Sequence, residues 1–94
     1  MRENAIPYAF MKYVGHVAVM TGKTKEALDI DQVEDISGLL DRLDKQYPGF
    51  KEVFMPPGGI FNSRTGIILR RSNGAAPVID KNHPIQEGDV LTFW

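Results

Sequence analysis

The chain has 94 residues, with 11 Lys and Arg against 12 Asp and Glu, a formal net charge of −1, and 43% hydrophobic residues. Those figures describe one small domain with a modest core, and the near-neutral charge argues against nucleic acid or an anionic membrane as the main partner. The absence of cysteine excludes disulfides, thiol nucleophiles and Cys-ligated zinc.

Residues 1–9 show no clear period, and Pro7 would interrupt a ladder or a helix. They read as an N-terminal arm, with residues 10–94 as the domain. Met1-Arg2-Glu3-Asn4 lacks the apolar core of a signal peptide, and no run approaches the length of a membrane span, so the expected location is the cytoplasm. From Phe10 to Met20, β-formers dominate (Tyr13, Val14, Val17, Val19), which predicts a strand. Thr21-Gly22-Lys23 then reads as a bulged hairpin turn, and Thr24–Ile30 as the returning strand.

A helix follows. Asp31 with Glu34 three residues later has the spacing of a capping box. Val33, Ile36, Leu39, Leu40, Leu43 and Tyr47 recur at helical spacing, and the acidic first turn suits the positive end of the dipole. Pro48-Gly49 stops the helix. Residues 50–65 read as a long connection through Met55-Pro56-Pro57-Gly58-Gly59, with Phe50, Val53 and Phe54 tucked under the helix end. Gly66–Arg71 is a strand whose apolar run suggests a central place in a sheet. Ser72-Asn73-Gly74 is a turn and Ala75–Asp80 a short irregular or strand piece. Lys81–Gln86 is a loop holding His83-Pro84, and Val90–Trp94 is a final strand after the Gly88-Asp89 turn.

The sum is an α+β chain: a mixed sheet of four to five strands with one main helix across it. The first and last strands are expected to be parallel neighbours at the centre. This order, with Met20-Thr21-Gly22-Lys23-Thr24 and with Ile68-Leu69-Arg70-Arg71-Ser72-Asn73-Gly74 leading to Pro84-Ile85-Gln86-Glu87-Gly88-Asp89-Val90, resembles the ubiquitin-like β-grasp proteins. The second stretch is similar to the sulfur-carrier branch, which holds the small subunit of molybdopterin synthase and the thiamine-biosynthesis sulfur carrier. Tyr47-Pro48-Gly49-Phe50-Lys51-Glu52-Val53-Phe54 is similar to the longer members of the molybdopterin group.

The resemblance implies a non-enzymatic protein that works with protein partners: an activating enzyme or a synthase large subunit. It also implies a flexible C-terminal Gly-Gly whose carboxylate is adenylated and converted to a thiocarboxylate. This sequence reads to Trp94 within the last expected strand, and its Gly58-Gly59 pair is internal. The expectation is therefore a carrier-like protein acting through protein contacts. A genuine sulfur carrier for molybdenum or tungsten cofactor or for thiamine is the alternative, and a small regulatory ligand-binding β-grasp domain a further one.

The expected working surface is the exposed sheet face and the end of the last strand, near Arg70, Arg71, Phe93 and Trp94. Arg64, Arg70, Arg71, Lys81 and His83 are candidates for a basic cluster, weighed against an ordinary solvated face. Gly22-Lys23-Thr24 resembles the tail of a phosphate loop, but Val17 stands where its earlier glycine belongs. His16 and His83 have no third ligand near them in sequence, no nucleophile and base are paired, and neither a metal nor a cofactor is expected. The isolated chain is expected to be a monomer.

Overall fold

Strict alternation builds the first strand. In β1 (Tyr8–Tyr13) Ala9, Met11 and Tyr13 are buried while Tyr8, Phe10 and Lys12 face out, so one face of the sheet is core and the other is open. The computed structural model describes residues 6–55, 65–78 and 80–94. The Pro56–Gly59 loop, Arg64, Ile79 and the first five residues of the expected arm lie outside that set.

The expected strand over 10–20 does not run its length. The chain leaves β1 after Tyr13, turns at Gly15 with φ 62°, and forms a helix, α1 (His16–Thr21). Val17 and Thr21, one turn apart, are its buried residues, so it holds by docking rather than by propensity. Gly22 closes α1 in the left-handed conformation, its N–H donating to the Ala18 carbonyl at 2.9 Å. The Thr21-Gly22 signal is thus a helix end and not a hairpin turn. The returning strand β2 (Lys25–Asp29) then pairs antiparallel with β1.

The main helix is α2 (Ile36–Gln46). Its cap is Asp35, whose carboxylate accepts from the Gly38 N–H at 2.9 Å, and not Asp31. Asp31 instead donates its N–H to the Asp29 side chain, and Gln32 sits at φ 70°, so the chain is still turning there. Two further donors of the first turn are satisfied by the loop after the sheet: Ile36 N–H to the His83 carbonyl at 3.0 Å and Ser37 N–H to the Lys81 carbonyl at 2.9 Å. Ile36, Leu39, Leu40 and Leu43 are buried at the expected spacing. Past Pro48, a short helix α3 (Phe50–Phe54) occupies the start of the expected connection. Asp44 accepts from the N–H groups of Gly49 and Lys51, both at 3.1 Å, and joins the two helices.

β3 (Ile67–Arg71), β4 (Gly74–Pro77) and β5 (Val90–Phe93) complete a five-stranded sheet in the order β2-β1-β5-β3-β4. β1 and β5 are parallel and central, as the crossover through α2 requires, and the other pairs are antiparallel. β3 is interior but alternates between buried and exposed residues, because among the described residues only one face of the sheet is covered. The covered face packs an aromatic cluster in which Phe50 meets Phe54 at 5.1 Å and Phe93 at 5.4 Å, with Tyr13 at 5.8 Å from Phe93. No helix among the described residues is long and apolar enough to cross a membrane.

Candidate functional site

The strand registers fix what the open face presents. One row across the sheet is Ala27, Phe10, Val90, Arg70 and Ala75; the next is Lys25, Lys12, Thr92, Ile68 and Pro77. Tyr8 and Phe10 are 41% and 47% exposed, large values for aromatic side chains on a sheet. A shallow groove of about 530 Å³ lies over this region, lined by Phe10, Lys12, Lys25, Ala27 and Val90 among others. The same alternation brings Val14 and Trp94, both exposed, to one end of the face. An uncovered apolar sheet face of this extent is the feature that most invites a partner.

The expected surface residues divide. Arg70 and Trp94 do lie on the open side. Phe93 does not: it is wholly buried, because strand parity turns it into the aromatic cluster beneath α3. Arg71 points the other way from Arg70 and is held at home. Its Nε and a terminal nitrogen donate to the Asp89 carboxylate at 2.8 and 3.0 Å, and the same nitrogen reaches the Pro84 carbonyl at 2.9 Å. Asp89 is buried and also accepts from the Gln86 N–H at 2.8 Å. The carboxylate raises the Arg71 pKa by hydrogen bonding. Arg71 therefore ties the loop before β5 to the sheet, and a charge reversal there would not leave the fold intact. The expected basic cluster is correspondingly split between two faces. Arg71 and His83 share a small cleft beside β4, while Arg70 faces away from them on the open side.

Trp94 is locked in place. Its N–H donates to the Gly66 carbonyl at 3.0 Å and its carbonyl accepts from the Gly66 N–H at 2.8 Å. The indole lies on the Gly66 α-carbon, so closely that a β-carbon at residue 66 would fall 2.5 Å from Cε2 and 2.9 Å from Nε1. Gly66 is the seat of that ring.

Away from the open face, Glu26 gathers a polar cluster that joins β2 to α2. It accepts from the Tyr13 hydroxyl at 2.5 Å and from the Tyr47 hydroxyl at 2.7 Å, and Lys23 lies 3.3 Å away. Burial alone pushes the Glu26 carboxyl up, but the hydrogen bonds from Tyr13, Tyr47 and Lys23 outweigh it and leave the pKa below its ordinary value. Burial, and then the bond to Glu26, push the Tyr13 phenol far upward. Sequence reasoning missed this cluster because its members are distant in the chain. It also missed Phe10, Lys12, Lys25, Ala27 and Val90 as a surface. The signal for part of that surface was present, since Tyr8, Phe10 and Lys12 alternate with Ala9, Met11 and Tyr13 once the strand is begun at residue 8. Among the described residues no three His, Asp or Glu side chains converge as a metal would need.

No protein-family model matches the chain, and no curated protein matches it in sequence. Solved structures do. Small archaeal modifier protein 1 from H. volcanii superposes with a TM-score of 0.67 at 20% identity, over 93% of this chain and 94% of that one. A putative molybdopterin converting factor, subunit 1, from Pyrococcus furiosus gives 0.72 at 16% identity, again over 93% and 94%. Small archaeal modifier protein 1 from Methanosarcina acetivorans gives 0.64 at 16% identity, over 94% and 91%. The strand order and these superpositions lead to one conclusion: the chain has the ubiquitin-like β-grasp fold, which it shares with small archaeal modifier and molybdopterin converting factor proteins.

Proposed function

We propose that this chain is a sulfur-carrier-like β-grasp protein, of the molybdopterin-synthase small-subunit or thiamine-carrier type, that acts in the cytoplasm by holding a protein partner rather than by catalysing a reaction. One observation carries this reading. An entire face of the sheet, from Ala27 through Phe10 and Val90 to Ile68 and Pro77, has no helix over it among the described residues and is apolar at its centre. The fold likeness to small archaeal modifier and molybdopterin-factor proteins points to the kind of partner: an activating enzyme or a synthase large subunit. Arg70 and Trp94 belong to the proposed contact surface.

A second reading is a sulfur carrier for molybdenum or tungsten cofactor or for thiamine. Such a carrier would present a free tail beyond the sheet, because Trp94 itself is engaged in the ladder with Gly66 through two backbone hydrogen bonds. Isothermal titration with the purified activating enzyme, and separately with a molybdopterin-synthase large subunit, tests the proposal. A saturable complex with either, on the order of micromolar as for transient interfaces, is expected. No heat from either partner rejects it.

A further inference from the structure

The open face has a charge sign of its own. Lys12 and Lys25 stand directly opposite each other in the β1–β2 ladder, and Arg70 stands opposite Val90. None of the three has an ion-pair partner among the described residues. The chain as a whole is slightly acidic, but most acids among the described residues lie elsewhere, and Glu26, which also borders the groove, has its carboxylate taken by the Tyr13 and Tyr47 hydroxyls. Asp35, Asp41, Asp44 and Glu52 belong to the two helices and the α2 cap, and Asp89 is bound to Arg71. Asp29, at the edge opposite Tyr8, is the acid on the outward side of β2, and its carboxylate is taken by the Asp31 N–H and lies 4.0 Å from Arg42. Like charges directly opposed across a ladder destabilise it. The Lys12–Lys25 pair is therefore a local cost that a negative group placed between the two ammonium groups would relieve. Between and beside them lies the groove over Ala27, walled by Phe10 and Val90.

We infer that this face takes an acidic, apolar segment of a protein partner. An aromatic or branched aliphatic side chain fills the groove between Phe10 and Val90, and flanking carboxylates meet Lys12, Lys25 and Arg70. This deepens the proposed function and rests on its reading of the sheet face as the contact surface. A second copy of the chain is the poorer occupant, because two such faces brought together would oppose their cations. The apolar groove anchors the segment and the cations select its sign and register.

The test uses the ¹⁵N-labelled chain and two short synthetic peptides. Both alternate Leu and Phe with charged residues, which are Glu in one and Lys in the other. The acidic peptide should shift the amides of Phe10, Lys12, Ala27 and Val90 and bind about tenfold more tightly than the basic one, the scale of two to three partly exposed ion pairs. Added salt should narrow that difference. The double variant Lys12→Glu/Lys25→Glu, whose melting curve verifies folding, should reverse the preference. Phe10→Ser should weaken both peptides alike. Equal affinities, or shifts confined to another surface, overturn the inference. So does a shift of these amides with protein concentration alone, which would assign the face to a second copy, or tighter binding to anionic phosphatidylglycerol vesicles than to the peptide. The outcome is separable from that of the proposed function. An activating enzyme that binds while the peptides show no charge preference leaves the function standing and removes only the partner chemistry. A charge-selective peptide with no enzyme complex does the opposite.

Discussion

Gly66→Ala isolates the seat of Trp94. Gly66 does not sit in the left-handed region, so alanine meets no backbone strain there, and the substitution acts through its β-carbon alone. That atom would lie 2.5 Å from Cε2 and 2.9 Å from Nε1 of the indole, so the ring must swing away. Trp94 is 45% exposed, so a little over half of its surface is covered in the native state. With ~200 Å² for a fully buried Trp, displacing the ring uncovers at most about 100 Å², or roughly 2.5 kcal/mol at 25 cal/mol per Å². Alanine restores about 0.5–1 kcal/mol by stiffening the unfolded chain. The net cost is roughly 1–2 kcal/mol, with the two ladder bonds between residues 66 and 94 retained. The chain has a single tryptophan, so its emission reports on this contact directly. The variant should remain folded by far-UV circular dichroism, show red-shifted native emission, and unfold at lower urea concentration. Unchanged emission and an unchanged midpoint would refute the packing of the indole on Gly66.

Other perturbations follow from the same structure. Leu40→Ala, at a fully buried position of α2, should cost about 2–5 kcal/mol in urea unfolding, and a loss near zero would mean that the inner face of the helix is wrongly assigned. Arg71→Gln strips the buried Asp89 carboxylate of its charged partner and should lower stability by about 3–5 kcal/mol, whereas Arg70→Gln should leave it within about 0.5 kcal/mol. Alkaline stability should fall once the pH passes the ordinary tyrosine value of 10.0. Above it the unfolded chain gives up the Tyr13 proton while the folded chain keeps it, so the unfolded state is favoured as pH rises. Ultraviolet titration should find this phenol ionising only with unfolding, and Tyr13→Phe should flatten that part of the pH profile. In acid the sign is reversed. The Glu26 pKa is lowered in the fold, so its contribution is present above the ordinary 4.5 and is lost as the pH falls through the folded value. Glu26→Gln should remove that acid-side slope.

The long-range plan of the fold was legible because it follows from element order. A hairpin-like pair, a helix with apolar residues at 36, 39, 40 and 43, and an apolar last strand leave few ways to close a sheet, and β1 beside β5 is the outcome. What the sequence hid was local. Val17, Val19 and Met20 look like strand residues, yet Gly15 and Gly22 allow a helical turn that docks through Val17 and Thr21. Asp31 and Asp35 are equally good caps by type, and the turn at Gln32 decides between them. At the candidate site, Phe93 and Arg71 were misplaced by parity. The strand ends on the side that buries Phe93, and the buried partner of Arg71 is Asp89, eighteen residues away. Phe10 as an outward residue was concealed because the expected strand ran on through Val17 and Val19, which belong to α1, so its residues showed no clean alternation from which to read parity.

The central claim is that this chain holds its partner through the open sheet face while Trp94 stays in its ladder with Gly66. The direct measurement is the intact mass of the 94-residue chain after incubation with ATP, a sulfur source and the activating enzyme, with complex formation followed in the same sample. A version extended by Gly-Gly serves as the reacting control. The account predicts a complex, no oxygen-to-sulfur mass gain on the chain, and a gain on the extended control. A mass gain localised to Trp94 would contradict it, because the Gly66 ladder and the seated indole would then be no obstacle to carrier chemistry.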